Sequence, residues 1–329
     1  MSMLRTSLAR SGLLASARRY STAPTQASSK SSNLGFYLVG GGIVGLGAYV
    51  YIDRMNPVAK AVKLKETSPL DPSKFVDFEL KRVEPYSYNT AKFVFKLNDD
   101  EASLLPLASC VVVKSSDPEG LVDAKGKPVM RAYTPISRSD TPGELTFLIK
   151  RYENGLASRY IHGLQPGDKL AIKGPIPKFP YKDNEFEQVG MIAGGTGITP
   201  MYQILIHALT KPENKTKFKL IFANISEKDI LLKEELDALK KKYPETFDVV
   251  YTVDAAGPGW NGRLGYVTPE LIKQNIAPPS LGKKVKVFVC GPPGQMKAIS
   301  GAKLKPTDQG PLAGALKELG FDETQVFKF

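Results

Sequence analysis

Four short stretches carry residues whose types and spacing suit the binding of a large anionic ligand. In Arg131-Ala132-Tyr133-Thr134-Pro135-Ile136-Ser137 a guanidinium and a phenol lie two positions apart, so on a strand they share a face. The guanidinium can grip a phosphate while the ring packs on a flat heterocycle, and Thr134 adds a hydroxyl at the strand's end. In Gly155-Leu156-Ala157-Ser158-Arg159-Tyr160 a glycine and a serine open a short helix, whose backbone N–H groups can face an anion. Ala193-Gly194-Gly195-Thr196-Gly197-Ile198-Thr199-Pro200 follows an apolar run and precedes a helical one, with Pro200 suited to a first helical turn. It is not the Gly-x-Gly-x-x-Gly of the common dinucleotide fingerprint. Val287-Phe288-Val289-Cys290-Gly291-Pro292-Pro293-Gly294-Gln295-Met296 is a further strand running into a Gly/Pro turn. Taken singly, the first reads better as an ordinary edge strand and the second as a common small-residue turn. The third could be a plain strand–helix turn, and Cys290 a buried small hydrophobe.

Other chemistries are poorly supplied. The two cysteines, Cys110 and Cys290, stand far apart, and no Cys-x-x-Cys offers a zinc or iron–sulfur site. Two histidines, His162 and His207, cannot build a His-rich metal centre, and nothing near them suggests a nucleophilic triad. No metal is expected, and the scarcity favours a cofactor that brings its own chemistry.

The elements that must position these residues divide into two rhythms. From Phe75 to about Ile176, short strands alternate with turns such as Gln165-Pro166-Gly167-Asp168. Strands are expected at Ala91–Leu97, Cys110–Lys114, Leu145–Tyr152 and Lys169–Lys173, which together argue for an antiparallel barrel or sandwich. After Tyr181 strands alternate with helices. Strands are expected at Val189–Ala193, Phe218–Ala223, Phe247–Val253 and Val285–Cys290, with helices at Pro200–Leu209, Leu231–Tyr243, from Pro269 and at Gly310–Leu319. That pattern is a parallel α/β sheet. The expected fold class is therefore α/β plus all-β, in five parts: 1–30, 34–52, 53–69, 70–178 and 179–329.

The first two parts read as an address and an anchor. Residues 1–30 are rich in Arg and Ser, lack any acid and are only partly amphipathic, as in a mitochondrial targeting segment; a merely basic tail is the alternative. Residues 34–52 form a run of 19 without a charge, and at about 1.5 Å per residue a helix of that length spans the hydrocarbon core of a bilayer. Its glycines suit close helix approach, and Tyr37, Tyr49 and Tyr51 lie near its ends. Residues 53–69 are a polar linker. Of the net charge of +12, residues 1–55 hold Arg5, Arg10, Arg18, Arg19, Lys30 and Arg54 against Asp53, leaving +7 on the rest. That excess could steer an acidic partner or be a generic lysine-rich surface. The basic runs lack aromatic interleaving, so no nucleic-acid partner is expected.

The four motifs, in this order and spacing, resemble the ferredoxin–NADP reductase superfamily, and within it the NADH–cytochrome b5 reductases of mitochondrial fungal type with an N-terminal transmembrane anchor. The resemblance covers roughly residues 70–329, and the ending Val326-Phe327-Lys328-Phe329 agrees with it. It implies an FAD-binding barrel followed by an NADH-binding domain. Arg131 would hold the FAD pyrophosphate, Tyr133 would pack beside the flavin and Thr134 would hydrogen-bond near its N5. Gly155 and Ser158 would contact phosphate, Lys150 and Tyr152 would lie near the cofactors and Thr199 would touch the isoalloxazine. Gly194, Gly195 and Thr196 would underlie the dinucleotide, and Cys290 and Pro292, with Gly291 and Met296 of the same motif, would position the nicotinamide. Thr134 and Cys290 would be the catalytic pair. Asp229 would meet the adenosine ribose, where a carboxylate repels a 2′-phosphate and so favours NADH. The sequence departs from the family's habit at Leu156, where a lysine is usual, at Leu107–Cys110 and at Tyr88–Thr90.

The resemblance further implies a hydride relay from NADH to FAD, then single electrons to cytochrome b5 or a similar acidic haem protein, or to a quinone. It places a monomeric enzyme as a single-pass protein of the mitochondrial outer membrane, with a processed intermembrane-space form as a further expectation. Two alternatives stay open: a membrane-tethered binding protein that kept the fold without catalysis, and an NADPH-preferring reductase.

Overall fold

The structure is a computed structural model that describes residues 63–329. The targeting segment, the anchor and the linker as far as residue 62 lie outside the described residues. Among the described residues no helix is long and apolar enough to cross a membrane. The last part of the expected linker is tied to the barrel: the Lys65 N–H donates to the Asp100 carbonyl at 2.8 Å and the Ser68 hydroxyl to the Ser103 carbonyl at 2.5 Å.

Among the described residues twelve strands form two six-stranded sheets. The first holds β1 (Val76–Ser87), β2 (Thr90–Lys96), β3 (Ser109–Ser115), β4 (Arg131–Tyr133), β5 (Glu144–Lys150) and β6 (Lys169–Pro177), ordered β4-β3-β6-β1-β2-β5 with every pairing antiparallel. Its ends meet. Past β4 the Ile136 N–H donates to the Thr146 carbonyl of β5 at 2.9 Å, and the Ser137 hydroxyl accepts from the Thr146 N–H at 3.0 Å. The sheet therefore closes into a barrel around Phe93, Phe95, Leu145, Phe147 and Ile149.

β1 was not expected as a strand. It carries Pro85 and several charges, and its register slips between Leu80 and Arg82 and again between Pro85 and Ser87. The bulges let one strand pair with β6 through its first part and with β2 through the rest, and they break the alternation a strand is recognised by.

The second sheet holds β7 (Gln188–Gly194), β8 (Lys217–Ser226), β9 (Phe247–Ala255), β10 (Arg263–Leu264), β11 (Val285–Cys290) and β12 (Val326–Lys328), ordered β10-β9-β8-β7-β11-β12 and parallel throughout. The order runs outward from β7 in both directions, so the β7/β11 boundary is the switch point at which open α/β sheets hold ligands. Helices cover both faces, after α1 (Leu156–Gly163) in the barrel half: α2 (Ile198–Leu209), α3 (Lys233–Lys242), α4 (Pro269–Asn275), α5 (Pro293–Ser300) and α6 (Gly314–Glu318).

Three helices differ from expectation for local reasons, two in their bounds and one in its existence. α3 starts two residues late because Leu232 has φ +55, a left-handed conformation that no helix interior accepts. α6 is short because Pro311 interrupts the run and Gly314 itself has φ +64. α5 was read as a turn, although Pro293 at its first position is a helix-start signal.

Candidate active site at the switch point

β5 shows how the barrel reaches the site. Leu145, Phe147 and Ile149 point into the barrel core, while Leu148 and Lys150 on the opposite face turn towards the second half. Leu148 packs with Met191, Ile198 and Phe222 of the α/β core, and Lys150 lines a cavity of about 1090 Å³ between the two halves.

The cavity gathers most of the expected residues. From the barrel come Tyr133, Thr134, Lys150 and Tyr152. From the carboxyl end of β7 come Gly194, Gly195, Thr196 and Thr199, and from that of β11 Cys290, Gly291 and Pro292; Asp229 joins from the turn after β8. Four expected residues stand elsewhere. Met296 is turned into the apolar core with Leu271, Ile299 and Leu316, because it lies on a different face of α5 from Gln295 and Ala298, which line the cavity. Arg131, Gly155 and Ser158 lie outside the cavity lining, on the barrel.

That barrel group still has the makings of an anion site. Arg131 is exposed; its guanidinium donates to the Met130 carbonyl at 2.8 Å and forms no ion pair among the described residues. No side chain caps the start of α1, so its first N–H groups keep their bonding capacity. Gly155 is required there: a Cβ would stand 2.5 Å from the Ser158 hydroxyl oxygen and 3.0 Å from the Tyr152 Cβ. Leu156, at the family's lysine position, is an exposed hydrophobic residue.

The glycines of the third motif divide by role. A side chain at Gly197 would run into the Cys290 carbonyl, and one at Gly194 into Gln295 and Pro292, so these two let the turns after β7 and β11 pack together. Gly195 has φ +50 with open space on its Cβ side, so a ligand can approach its backbone closely. No side chain caps α2 or α5, and both helices begin at the cavity, where the partial positive charge of a helix start favours phosphate.

The titratable groups are mostly held neutral or paired. Burial pushes the Cys290 thiol up to about 12 and raises that of Cys110, which lines the same cavity. Both stay thiols at neutral pH, suited to packing and orientation rather than attack. Burial likewise raises the Tyr133 phenol to about 12. Asp229, 4% exposed, accepts from Lys150 Nζ at 2.6 Å, from the Tyr88 hydroxyl at 2.7 Å and from the Ser226 hydroxyl at 2.7 Å. Burial opposes its ionisation, but these three bonds hold it below its ordinary value. Both histidines lie off the cavity lining: His162 bonds the Ile149 carbonyl at 2.9 Å, and His207 bonds Asp183 at 3.1 Å. Among the described residues no group of acids, cysteines and histidines is placed to hold a metal.

Sequence reasoning passed over Asn224, Asp254, Tyr266, Gln295 and Lys303, all of which line the cavity. Asn224 and Asp254 stand near the carboxyl ends of β8 and β9. The rule that α/β ligands sit beyond such ends, applied to every parallel strand, would have found both.

Comparison with known proteins agrees with this arrangement. Residues 77–181 match the family described as oxidoreductase FAD-binding domain, and residues 191–301 match the oxidoreductase NAD-binding domain. The chain is 44% identical to NADH-cytochrome b5 reductase 2 of Mycosarcoma maydis over 95% of its own length and 93% of that protein. It is 43% identical to the protein of that name from Emericella nidulans, over 95% of each. The chain belongs to the NADH–cytochrome b5 reductase family. Among solved structures, the cytochrome b5 reductase domain of Ulva prolifera nitrate reductase superposes with a TM-score of 0.70 at 30% identity, over 80% of this chain and 100% of that one. The CS-b5R domains of human Ncb5or give 0.61 at 26% identity, over 78% and 69%. The chain is thus an oxidoreductase whose barrel is an FAD-binding domain and whose parallel sheet is an NAD-binding domain.

Proposed function

We propose that the chain takes a hydride from NADH onto FAD and passes the electrons singly to cytochrome b5 or a similar acidic haem protein. The observation that carries this reading is a cavity shared by the barrel strand ending at Tyr133-Thr134 and the two switch-point turns at Gly194–Thr199 and Cys290–Pro292. Such a cavity can press two flat rings together, one held by each half. FAD, when bound, supplies the hydride acceptor and the step from electron pairs to single electrons. The chain supplies orientation. Arg131 and the start of α1 suit the FAD phosphates, and the open approach at Gly195 with the starts of α2 and α5 suits the NADH pyrophosphate. With both cofactors bound, Thr134 would serve as a hydroxyl partner and Cys290 as a neutral spacer at the reacting rings. The decisive experiment is spectroscopic. The purified chain is yellow, bleaches on anaerobic NADH and recovers on adding oxidised cytochrome b5; a chain that stays colourless with added FAD, or yellow with NADH, sinks the reading.

Preference for NADH over NADPH needs a carboxylate at the adenosine ribose, and two stand in reach of the cavity. Asp229 already accepts three protein hydrogen bonds. Asp254 is exposed and forms no ion pair among the described residues, which favours it as the ribose partner. Asp254→Ser is expected to raise NADPH rates relative to NADH rates more than Asp229→Ser does; the reverse order returns the role to Asp229.

We propose further that residues 1–30 direct a monomeric enzyme to mitochondria and that residues 34–52 anchor it as a single-pass protein of the outer membrane, with the division between domains at 178/179. The acid-free Arg/Ser composition and the uncharged run support this reading. Alkaline extraction of fractionated mitochondria, with sequencing of the mature N-terminus, tests both segments: release of the unprocessed chain into the supernatant removes the anchor.

A further inference from the structure

We infer that Asn224 grips the sugar–phosphate part of NADH through its side-chain amide, an assignment that rests on the reading proposed above. Asn224 is 7% exposed and lines the cavity, yet neither its Oδ1 nor its Nδ2 has a hydrogen-bond partner among the described residues. Buried amides are satisfied almost everywhere in folded proteins, so an amide with both ends open calls for an explanation at its own site.

Gln203 provides the contrast within the same fold. It is buried to a similar degree, at 8% exposed, but its Oε1 accepts from the Ser109 N–H and its Nε2 donates to the Ser109 carbonyl, both at 3.2 Å. A buried amide whose work is structural is thus bonded at both its oxygen and its nitrogen here. The open ones are Asn224 and Gln295 Nε2, and both residues line the cavity.

Register fixes which part of the ligand Asn224 meets. On one side of β8, Ala223 stands opposite Gly194, which leads into the turn at Gly195 and Thr196. On the other side Asn224 itself stands opposite Val253, one residue before Asp254. Asn224 is therefore bracketed by the turn suited to pyrophosphate and the strand end suited to the adenosine ribose. An amide offers a donor and an acceptor together. That matches ribose hydroxyls, which both give and take, alongside phosphate oxygens, which only take.

The test uses the FAD-loaded full chain, titrated in a calorimeter with NAD+ and separately with ADP-ribose, which lacks the nicotinamide. Asn224→Leu, close in shape but apolar, is expected to raise the Kd of both ligands about tenfold. The nucleotide-free Tm should hold or rise, because leucine leaves no polar atom unbonded. Asn224→Ala, which cannot crowd its neighbours, should weaken both ligands similarly. Unchanged Kd values in both variants overturn the inference. So does a loss confined to NAD+, which would move the contact to the nicotinamide. A lower nucleotide-free Tm in Asn224→Leu also overturns it, since the amide would then be satisfied inside the protein. A wild-type chain that neither binds NAD+ nor bleaches with NADH would defeat the reductase reading, whereas variants that bind like wild type defeat this inference alone.

Discussion

The two halves of the molecule meet along two kinds of contact. One is dry: Ala108 and Leu148 of the barrel sit in the same apolar core as Met191, Met201 and Phe222, and the Gln203 amide closes both hydrogen bonds on the Ser109 backbone. The other is polar, and two of its residues, Lys150 and Asp229, line the cavity. There Lys150 pairs with Asp229 at 2.6 Å, Tyr88 reaches the same carboxylate, and Tyr86 accepts from the Leu232 N–H at 2.8 Å while Lys92 approaches Glu235 at 3.5 Å. The dry seam fixes how the halves are oriented, since close-packed side chains tolerate little displacement. Of the polar contacts, the Lys150–Asp229 pair lines the cavity that suits a charged dinucleotide, and its groups could exchange partners with one. Rigidity and ligand response are thus assigned to different parts of one interface.

The largest expected effect comes from breaking the polar contact on one side only. Lys150→Met leaves the 4%-exposed Asp229 carboxylate without its cation; loss of one partner of a buried pair costs about 3–5 kcal/mol, with the lower end expected because Tyr88 and Ser226 still donate. Urea unfolding at neutral pH measures it, and a loss below about 1 kcal/mol would mean the pair is effectively solvated. The dry seam is expected to be slightly less sensitive: Leu148→Ala should cost about 2–4 kcal/mol through lost burial and a residual cavity. If the seam alone fixes orientation, Leu148→Ala should also slow flavin reduction at saturating NADH, whereas Lys150→Met should act more strongly on KM. Equal effects of both variants on both constants would erase the distinction.

What could be read from the sequence follows how local each signal is. β11 was legible to the residue, because an apolar run ending in Cys290-Gly291-Pro292 encodes both a strand and its stop, whereas the helix that follows at Pro293 was not. β1 was not, since its two bulges destroy the period of two, and its pairing partners lie in distant segments. At the site, Thr134, Thr199 and Cys290 were found through motif resemblance, and all three line the cavity. Asp229 was found for one role, while the structure engages its carboxylate with Lys150, Tyr88 and Ser226. No pattern along the chain links Lys150 to a residue 79 positions away; only the juxtaposition of two domains does. Asn224 was invisible for the complementary reason: what marks it is a missing partner, and an absence of hydrogen bonds leaves no trace in a sequence.

Smaller effects sharpen the contrast further. Gln203→Leu strands the buried Ser109 N–H and carbonyl at the dry seam, for about 1–2 kcal/mol. This loss should be independent of pH between 4 and 8, because no ionisable group takes part. The polar contact should behave differently, and Tyr88→Phe is the mildest way to show it. The Tyr88 ring is 71% exposed, so its packing contributes little, and the variant removes essentially one hydroxyl donated to Asp229 at 2.7 Å. The expected cost at pH 7 is about 1 kcal/mol. Asp229 is held below its ordinary value in the folded chain, so its stabilisation is complete above the ordinary carboxylate range and is lost as pH falls through the lower folded value. Removing one of the three donors moves that folded value back up and narrows the window. Tyr88→Phe should therefore begin to lose stability at a higher pH than wild type during acid titration, and the gap between the two proteins should close at still lower pH, where both carry a protonated Asp229. A gap that stays constant from pH 7 down to acid unfolding would show that the Tyr88 hydroxyl does not act through the carboxylate, and the cavity border would then resemble the dry seam after all.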